Sequence, residues 1–137
     1  MTVRSFLDSN ILIYTDDRRL PEKRERATFL VEELQSRRSA VVSTQVLQEY
    51  FSVATRKLDV PAEIARAKVE LFSRLSVVVL QMPLILRAID LHRLHSISFW
   101  DGLIIAAAQE ARCRVLLSED LQHGRRFDSL EVVNPFL

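Results

Sequence analysis

VRSFLDSNILIY, residues 3–14, is the stretch on which the fold reading turns. Val3 to Leu7 reads as a short apolar strand that ends on a carboxylate, Asp8. The polar pair Ser9-Asn10 then leads into an apolar helical start, Ile11-Leu12-Ile13-Tyr14. Strand, acid, turn and helix make the opening unit of an α/β sheet. In open sheets of that kind, ligands lie outside the carboxyl ends of the strands. Asp8 therefore stands where a site would be. Asp, Ser and Asn are also the ordinary helix N-caps, so Asp8 alone decides nothing about function.

Working outward, the chain repeats this alternation. Pro21 suits a first helical turn, and Glu22 to Arg38 has Ala27, Leu30, Val31 and Leu34 at helical spacing. Arg18, Arg19, Lys23, Arg24 and Arg26 are interleaved with Glu22 and Glu25, which reads as a solvated face. Ala40 to Ser43 is a short apolar run with β-branched residues, and Thr44 is placed to cap a helix from Gln45 to Leu58. Asp59-Val60-Pro61 breaks the chain before a helix from Ala62 to Leu75. Val77 to Leu80 is a continuous β-branched run, the pattern of a strand covered on both faces. Helices follow from Pro83 to about Leu94 and from about Phe99 to Arg112, then strands at Arg114–Ser118 and Leu130–Val133. Strands alternating with helices at these intervals imply βαβ units and a mainly parallel sheet.

The bulk numbers agree with one globular domain over residues 1–137, 48% hydrophobic. Two Gly and four Pro leave no flexible linker, no Gly-rich phosphate loop and little room for a turn-dense all-β fold. A formal net charge of +1 does not by itself argue for nucleic acid, though a local basic face stays open. The single Cys113 cannot form an internal disulfide, which fits a reducing, cytoplasmic setting. One Cys and three scattered His lack the spacing of a structural zinc site. There is no basic-then-apolar leader pattern, and no apolar run approaches the roughly 20 residues of a membrane span, so no membrane contact is expected.

Three further acids join Asp8. Glu49 lies about a turn and a half inside its helix. Asp101 lies in the first turn of SFWDGLIIAAA, residues 98–108. Asp120 lies just past the strand at Val115-Leu116-Leu117, and Glu119 beside it could share its role. Each has an ordinary explanation; Ser98 and Asp101, for instance, have capping-box spacing. Their joint placement is harder to dismiss, because a doubly wound sheet would bring all four to one edge. Converging carboxylates need a cation or raised pKa values. Hard oxygen ligands suit Mg²⁺ or Mn²⁺. Such a cluster can clamp a phosphate oxygen and make a bound water nucleophilic.

Four pieces together resemble a known family. FLDSNILIY (6–14), STQVLQEYFSVATRK (43–57), SFWDGLIIAAAQEARC (98–113) and LLSEDLQHG (116–124) are similar, in order, to PIN domains, and specifically to VapC-type toxins of bacterial VapBC systems. The resemblance implies a three-layer α/β/α domain with a central, mainly parallel sheet of four to five strands. It places the family's catalytic and metal-holding acids on Asp8, Glu49, Asp101 and Asp120, with Asn10 and Ser118 in support. It implies an endoribonuclease dependent on Mg²⁺ or Mn²⁺, hydrolysing RNA phosphodiesters with a metal-activated water. It also implies a homodimer and a cognate VapB-like antitoxin that blocks the groove, in a heterotetramer or larger assembly.

His123, Arg125 and Arg126 are candidates to face the RNA backbone, with a solvated loop an equal alternative. Trp100 reads more simply as core than as a base-stacking residue, and His92 and His95 as a surface helix end. Leu47, Tyr50, Phe51 and Leu71 fit core, dimer or antitoxin equally. Two rival functions stay open: a PIN nuclease acting on DNA or in RNA processing, and a non-catalytic nucleic-acid-binding regulatory module working with a partner protein.

Overall fold

In the computed structural model, which describes residues 3–137, the apolar segment Ser5–Leu7 forms β1, and Asp8 turns the chain into α1 (Ser9–Tyr14). Pro21 opens α2 (Pro21–Ser36), which buries Ala27 and Val31 and leaves its charged face in water. The fully buried β2 (Ala40–Ser43) runs straight into α3 (Thr44–Arg56). The break at Pro61 precedes α4 (Ala62–Phe72), which leads to β3 (Ser76–Val78). An α-helical pair follows, α5 (Met82–His95) and α6 (Phe99–Glu110), then β4 (Val115–Leu117) and a terminal hairpin of β5 (Arg126–Phe127) and β6 (Leu130–Val133).

Among the described residues the strands form one six-stranded sheet in the order β3-β2-β1-β4-β6-β5. All neighbours are parallel except the β5–β6 hairpin. Parallel crossovers are right-handed. Moving from β1 out to β3 therefore lays α1 to α4 on one face, and returning from β3 to β4 lays α5 and α6 on the other. This is the expected three-layer arrangement. The extra strand beyond the expected four or five is the two-residue β5, too short to leave a periodic signal.

The core forms where β1, β2 and β4 meet α6. Phe6, Leu7, Val41, Val42 and Leu116, alternating between the two faces of these strands, belong to one buried cluster with Ile104, Ile105 and the small side chains Ala106, Ala107 and Ala108 of α6. Each large side chain buried there contributes roughly 1.5–3 kcal/mol. The run of alanines lets α6 lie close against the sheet. Gly102 lets it lie close against α5: a Cβ there would sit 2.6 Å from the Ala88 carbonyl oxygen.

Two local expectations need correction. The Val77–Leu80 run is not a buried central strand: Val77 and Val78 are only partly buried against the core. The strand is Ser76–Val78 at the sheet edge, Ser76 is exposed, and Val79 is 60% exposed beyond its end. β-branching reports strand propensity, not the number of neighbouring strands. The cap of α3 is Ser43 rather than Thr44: the Val46 N–H donates to Ser43 Oγ at 3.3 Å. Thr44 is already helical, and its hydroxyl accepts from the Leu80 N–H at 3.4 Å instead.

Candidate active site

The chain's direction of travel reverses between β1 and β4. β1 is followed outward by β2 and β3 on one side, while β4 returns to its other side. A crevice opens at the carboxyl ends of two such strands. Leu7 stands opposite Leu117, and the Asp8 N–H donates to the Leu117 carbonyl at 3.0 Å. The residues after these strands, Asp8 on one side and Ser118-Glu119-Asp120 on the other, are thereby held next to each other.

Asp8 is 4% exposed. Its Oδ1 accepts from the Ser9 N–H and its Oδ2 from the Ser118 hydroxyl, both at 2.7 Å. Asp8 thus caps α1 while lying at the crevice. Ser118 Oγ in turn accepts from the Asp120 N–H at 3.1 Å and from Asn10 Nδ2 at 3.4 Å. Asn10 donates from the same nitrogen to Asp120 Oδ2 at 3.1 Å, and its Oδ1 accepts from the Glu119 N–H at 3.3 Å. Asn10 and Ser118 therefore lace the start of α1 to the loop after β4.

The other two acids arrive on helices. Glu49 is half-buried on α3. Asp101 is half-buried in the first turn of α6, where its N–H donates to Ser98 Oγ at 3.0 Å and closes one half of the anticipated capping box. One turn before Glu49 sits Gln45, a residue the sequence reading passed over. Its Nε2 donates to Glu49 Oε2 at 3.3 Å and to the Trp100 carbonyl at 3.2 Å. The signal was present: polar residues four apart share a helix face.

Asp8 and Asp101 both respond to neighbouring carboxylates. Burial pushes the Asp8 carboxyl up to about 7; bonds from Ser118 and Ser9 oppose the rise, and the charges of Asp120 and Glu49 add to it. Burial also raises Asp101, again with Asp120 contributing. A positive charge at this edge would reverse both shifts. Every donor in the set is a carboxylate oxygen, the chemistry that a hard divalent cation takes. Among the described residues no group of three or more His, Cys, Asp or Glu is drawn tightly enough to grip an ion unaided. The donor chemistry fits a cation.

Glu119 is turned away from this cluster. Its carboxylate pairs with Lys23 at 2.5 Å, beside the Tyr14 hydroxyl. The basic loop divides as well. His123 is exposed at the same sheet edge, its Nδ1 accepting from the Asn134 N–H at 3.0 Å. From there β5 runs antiparallel to β6, so that Arg126 stands level with Glu131 and, through it, with Val115 at the start of β4. Arg126 pairs with Glu131 at 3.6 Å, and Arg125 donates to the His95 carbonyl at 2.9 Å. Neither arginine is brought to the acids.

Trp100 is not core: it is 63% exposed, because α6 becomes buried only from Gly102 onward. Tyr50 is wholly core, whereas Phe51 and Leu71 are exposed. Cys113 is buried, and that burial pushes its thiol up to about 11, consistent with packing rather than chemistry.

Ser118→Ala tests the lacing. It removes the donor to Asp8 Oδ2 inside a buried site, so the Asp8 carboxyl should titrate higher still in an NMR pH titration of the metal-free chain. At pH 8 the variant should lose about 1–3 kcal/mol of stability by denaturant melts, the cost of an unpartnered buried acceptor.

Fold and site together define a class: a doubly wound α/β domain with an acidic cleft where its strand order reverses. The chain belongs to the PIN domain family, a family of nucleases; the match to that family runs over residues 5–128. Solved structures agree in fold. A toxin–antitoxin complex from Klebsiella pneumoniae is 20% identical with a TM-score of 0.69, covering 96% of this chain and 97% of that one. The sarcin-ricin loop cleaving toxin VapC20 of Mycobacterium tuberculosis is 18% identical with a TM-score of 0.63, covering 85% and 91%. DNA-bound VapBC from Salmonella typhimurium is 23% identical with a TM-score of 0.63, covering 96% and 97%. Nothing among curated protein sequences matches. Among the described residues no helix is long and apolar enough to cross a membrane.

Proposed function

We propose that this chain is a VapC-type toxin, an endoribonuclease in which Asp8, Glu49, Asp101 and Asp120 hold Mg²⁺ or Mn²⁺. What supports the reading is that the most buried of these acids, Asp8, at the β1–β4 crevice, is pushed up to about 7 with the charges of Asp120 and Glu49 adding to the rise. When bound there, a divalent ion supplies charge for a phosphoryl oxygen and lowers the pKa of a water.

The chain's own residues do the rest. Ser118 and the Ser9 N–H aim the two Asp8 oxygens. Asn10 fixes the exposed Asp120, which orients water at the open side of the cleft. His123, exposed at the same edge, is free to meet a backbone phosphate; Arg125 and Arg126 join it only if their present pairings break.

The sarcin-ricin loop cleaved by the Mycobacterium relative supports RNA as the substrate. Relatives solved as toxin–antitoxin complexes support a VapB-like antitoxin. Exposed apolar side chains on α3 and α4 (Phe51, Ile64, Leu71) and on α5 (Met82, Leu86, Ile89) support protein partners, the antitoxin and a second copy of the chain.

The test is incubation of the purified chain with total cellular RNA in Mg²⁺ or Mn²⁺, with and without chelator, beside a single-stranded DNA control. Discrete RNA cuts that chelator abolishes are expected. Cutting of DNA alone would replace the substrate, and intact RNA and DNA in both metals would overturn the enzymatic reading in favour of a binding module.

A further inference from the structure

Gln45 is buried on α3, with only 5% of the residue exposed, and the two polar atoms of its amide have opposite fates. Nε2 donates to Glu49 Oε2 at 3.3 Å and to the Trp100 carbonyl at 3.2 Å, whereas buried Oε1 has no partner among the described residues. Turning the amide over would not cure this. Both partners are acceptors, so an oxygen facing a carboxylate and a carbonyl would be repelled by each. The nitrogen must face them, and the orphaned oxygen is the consequence.

A buried acceptor without a partner is costly, and such groups in folded proteins call for an explanation. The place of the two bonds supplies one. The first holds the carboxylate of Glu49. The second holds the backbone of the residue before Asp101. One carboxamide therefore spans α3 and the first turn of α6, the two helices that bring acids to the cleft.

We propose that Gln45 is a positioning residue that holds the Glu49 carboxylate in register with Asp101 for cation binding. The inference rests on the reading of Glu49 as a metal-holding group. A donor to one oxygen of a metal-holding carboxylate leaves the other oxygen free for the ion and fixes its direction. Partners of this kind commonly change metal affinity by about 10–100-fold when removed.

The test is a cycle of Mn²⁺ titrations, followed by water proton relaxation without RNA, on wild type, Gln45→Met, Glu49→Ala and the double variant. Met keeps the length of the side chain and removes both bonds together with the orphaned acceptor, and circular dichroism melts check that the fold is kept. Gln45→Leu serves as the second variant if Met disturbs the fold. The expected result is Mn²⁺ binding about tenfold weaker in Gln45→Met, with no further loss when the change is added to Glu49→Ala. Unchanged Mn²⁺ affinity in a folded Gln45→Met, beside a weakened Glu49→Ala, would overturn the role of Gln45. Losses that multiply in the double variant would overturn its action through Glu49. An unweakened Glu49→Ala would instead remove Glu49 from the metal set, a separate failure of the underlying reading.

Discussion

Asp8→Asn is expected to abolish cleavage and, in the same protein, to raise stability at alkaline pH. On the proposed reading, losing the charge of Asp8 at the most buried position should cost on the order of 10²–10³ in rate, the scale seen when a single preorganised charge-stabilising group is removed. Stability should move the other way because the carboxyl is pushed from 3.8 to about 7, chiefly by burial.

Below about pH 4 the acid is neutral in folded and unfolded chains alike. Between about 4 and 7 the folded chain holds a proton that the unfolded chain releases, so wild-type stability falls as pH rises. Above about 7 the full penalty is present, on the order of 4 kcal/mol at about 1.4 kcal/mol per unit. A neutral carboxamide in place of the Asp8 carboxylate carries no charge to desolvate; its oxygen can accept from the Ser9 N–H, but its Nδ2 would face Ser118 Oγ, which already accepts from Asp120 and Asn10, so that contact offsets part of the gain. The metal-free variant should therefore melt above wild type at pH 8 and lose that advantage at pH 4. Mn²⁺ should raise the wild-type midpoint at pH 8 and leave the variant unmoved. Equal midpoints at both pH values would contradict the burial account.

Gly102→Ala is the second large effect. The added Cβ would meet the Ala88 carbonyl oxygen at 2.6 Å, and that atom is backbone in the middle of α5. No side chain can turn aside to make room, so α5 and α6 must separate. Overpacking of this kind costs about 1–3 kcal/mol, or roughly 3–10 °C in melting temperature for a chain of this size. The helix that shifts also carries Asp101 one residue earlier, so nuclease activity should fall more than the fraction unfolded accounts for. A variant as stable and as active as wild type would show that the helix contact is slack.

The strand–acid–helix unit at residues 3–14 was legible because period, turn residues and a carboxylate fall within a dozen positions. The order of helices and strands and the placement of Asp8 and Asp120 at strand ends followed from the same local signals. The edge position of β3 was not legible, since a run of valines looks the same beside one strand or two. Trp100 was misjudged because the buried face of α6 begins only at Gly102, two residues later. The division of the basic loop depended on β5, whose two residues carry no periodicity and whose direction is set by pairing with β6. Gln45 was missed for a related reason: its second partner, the Trp100 carbonyl, is 55 residues away and contributes no side chain to read.

The central proposal is that Asp8, Glu49, Asp101 and Asp120 together form a divalent-cation site. The most direct measurement is anomalous scattering at the manganese edge from crystals of the chain soaked in Mn²⁺. An anomalous peak among those four carboxylates is expected, absent from crystals of Asp8→Asn. Manganese found only elsewhere on the surface, or undiminished at the cleft in Asp8→Asn, would contradict the claim.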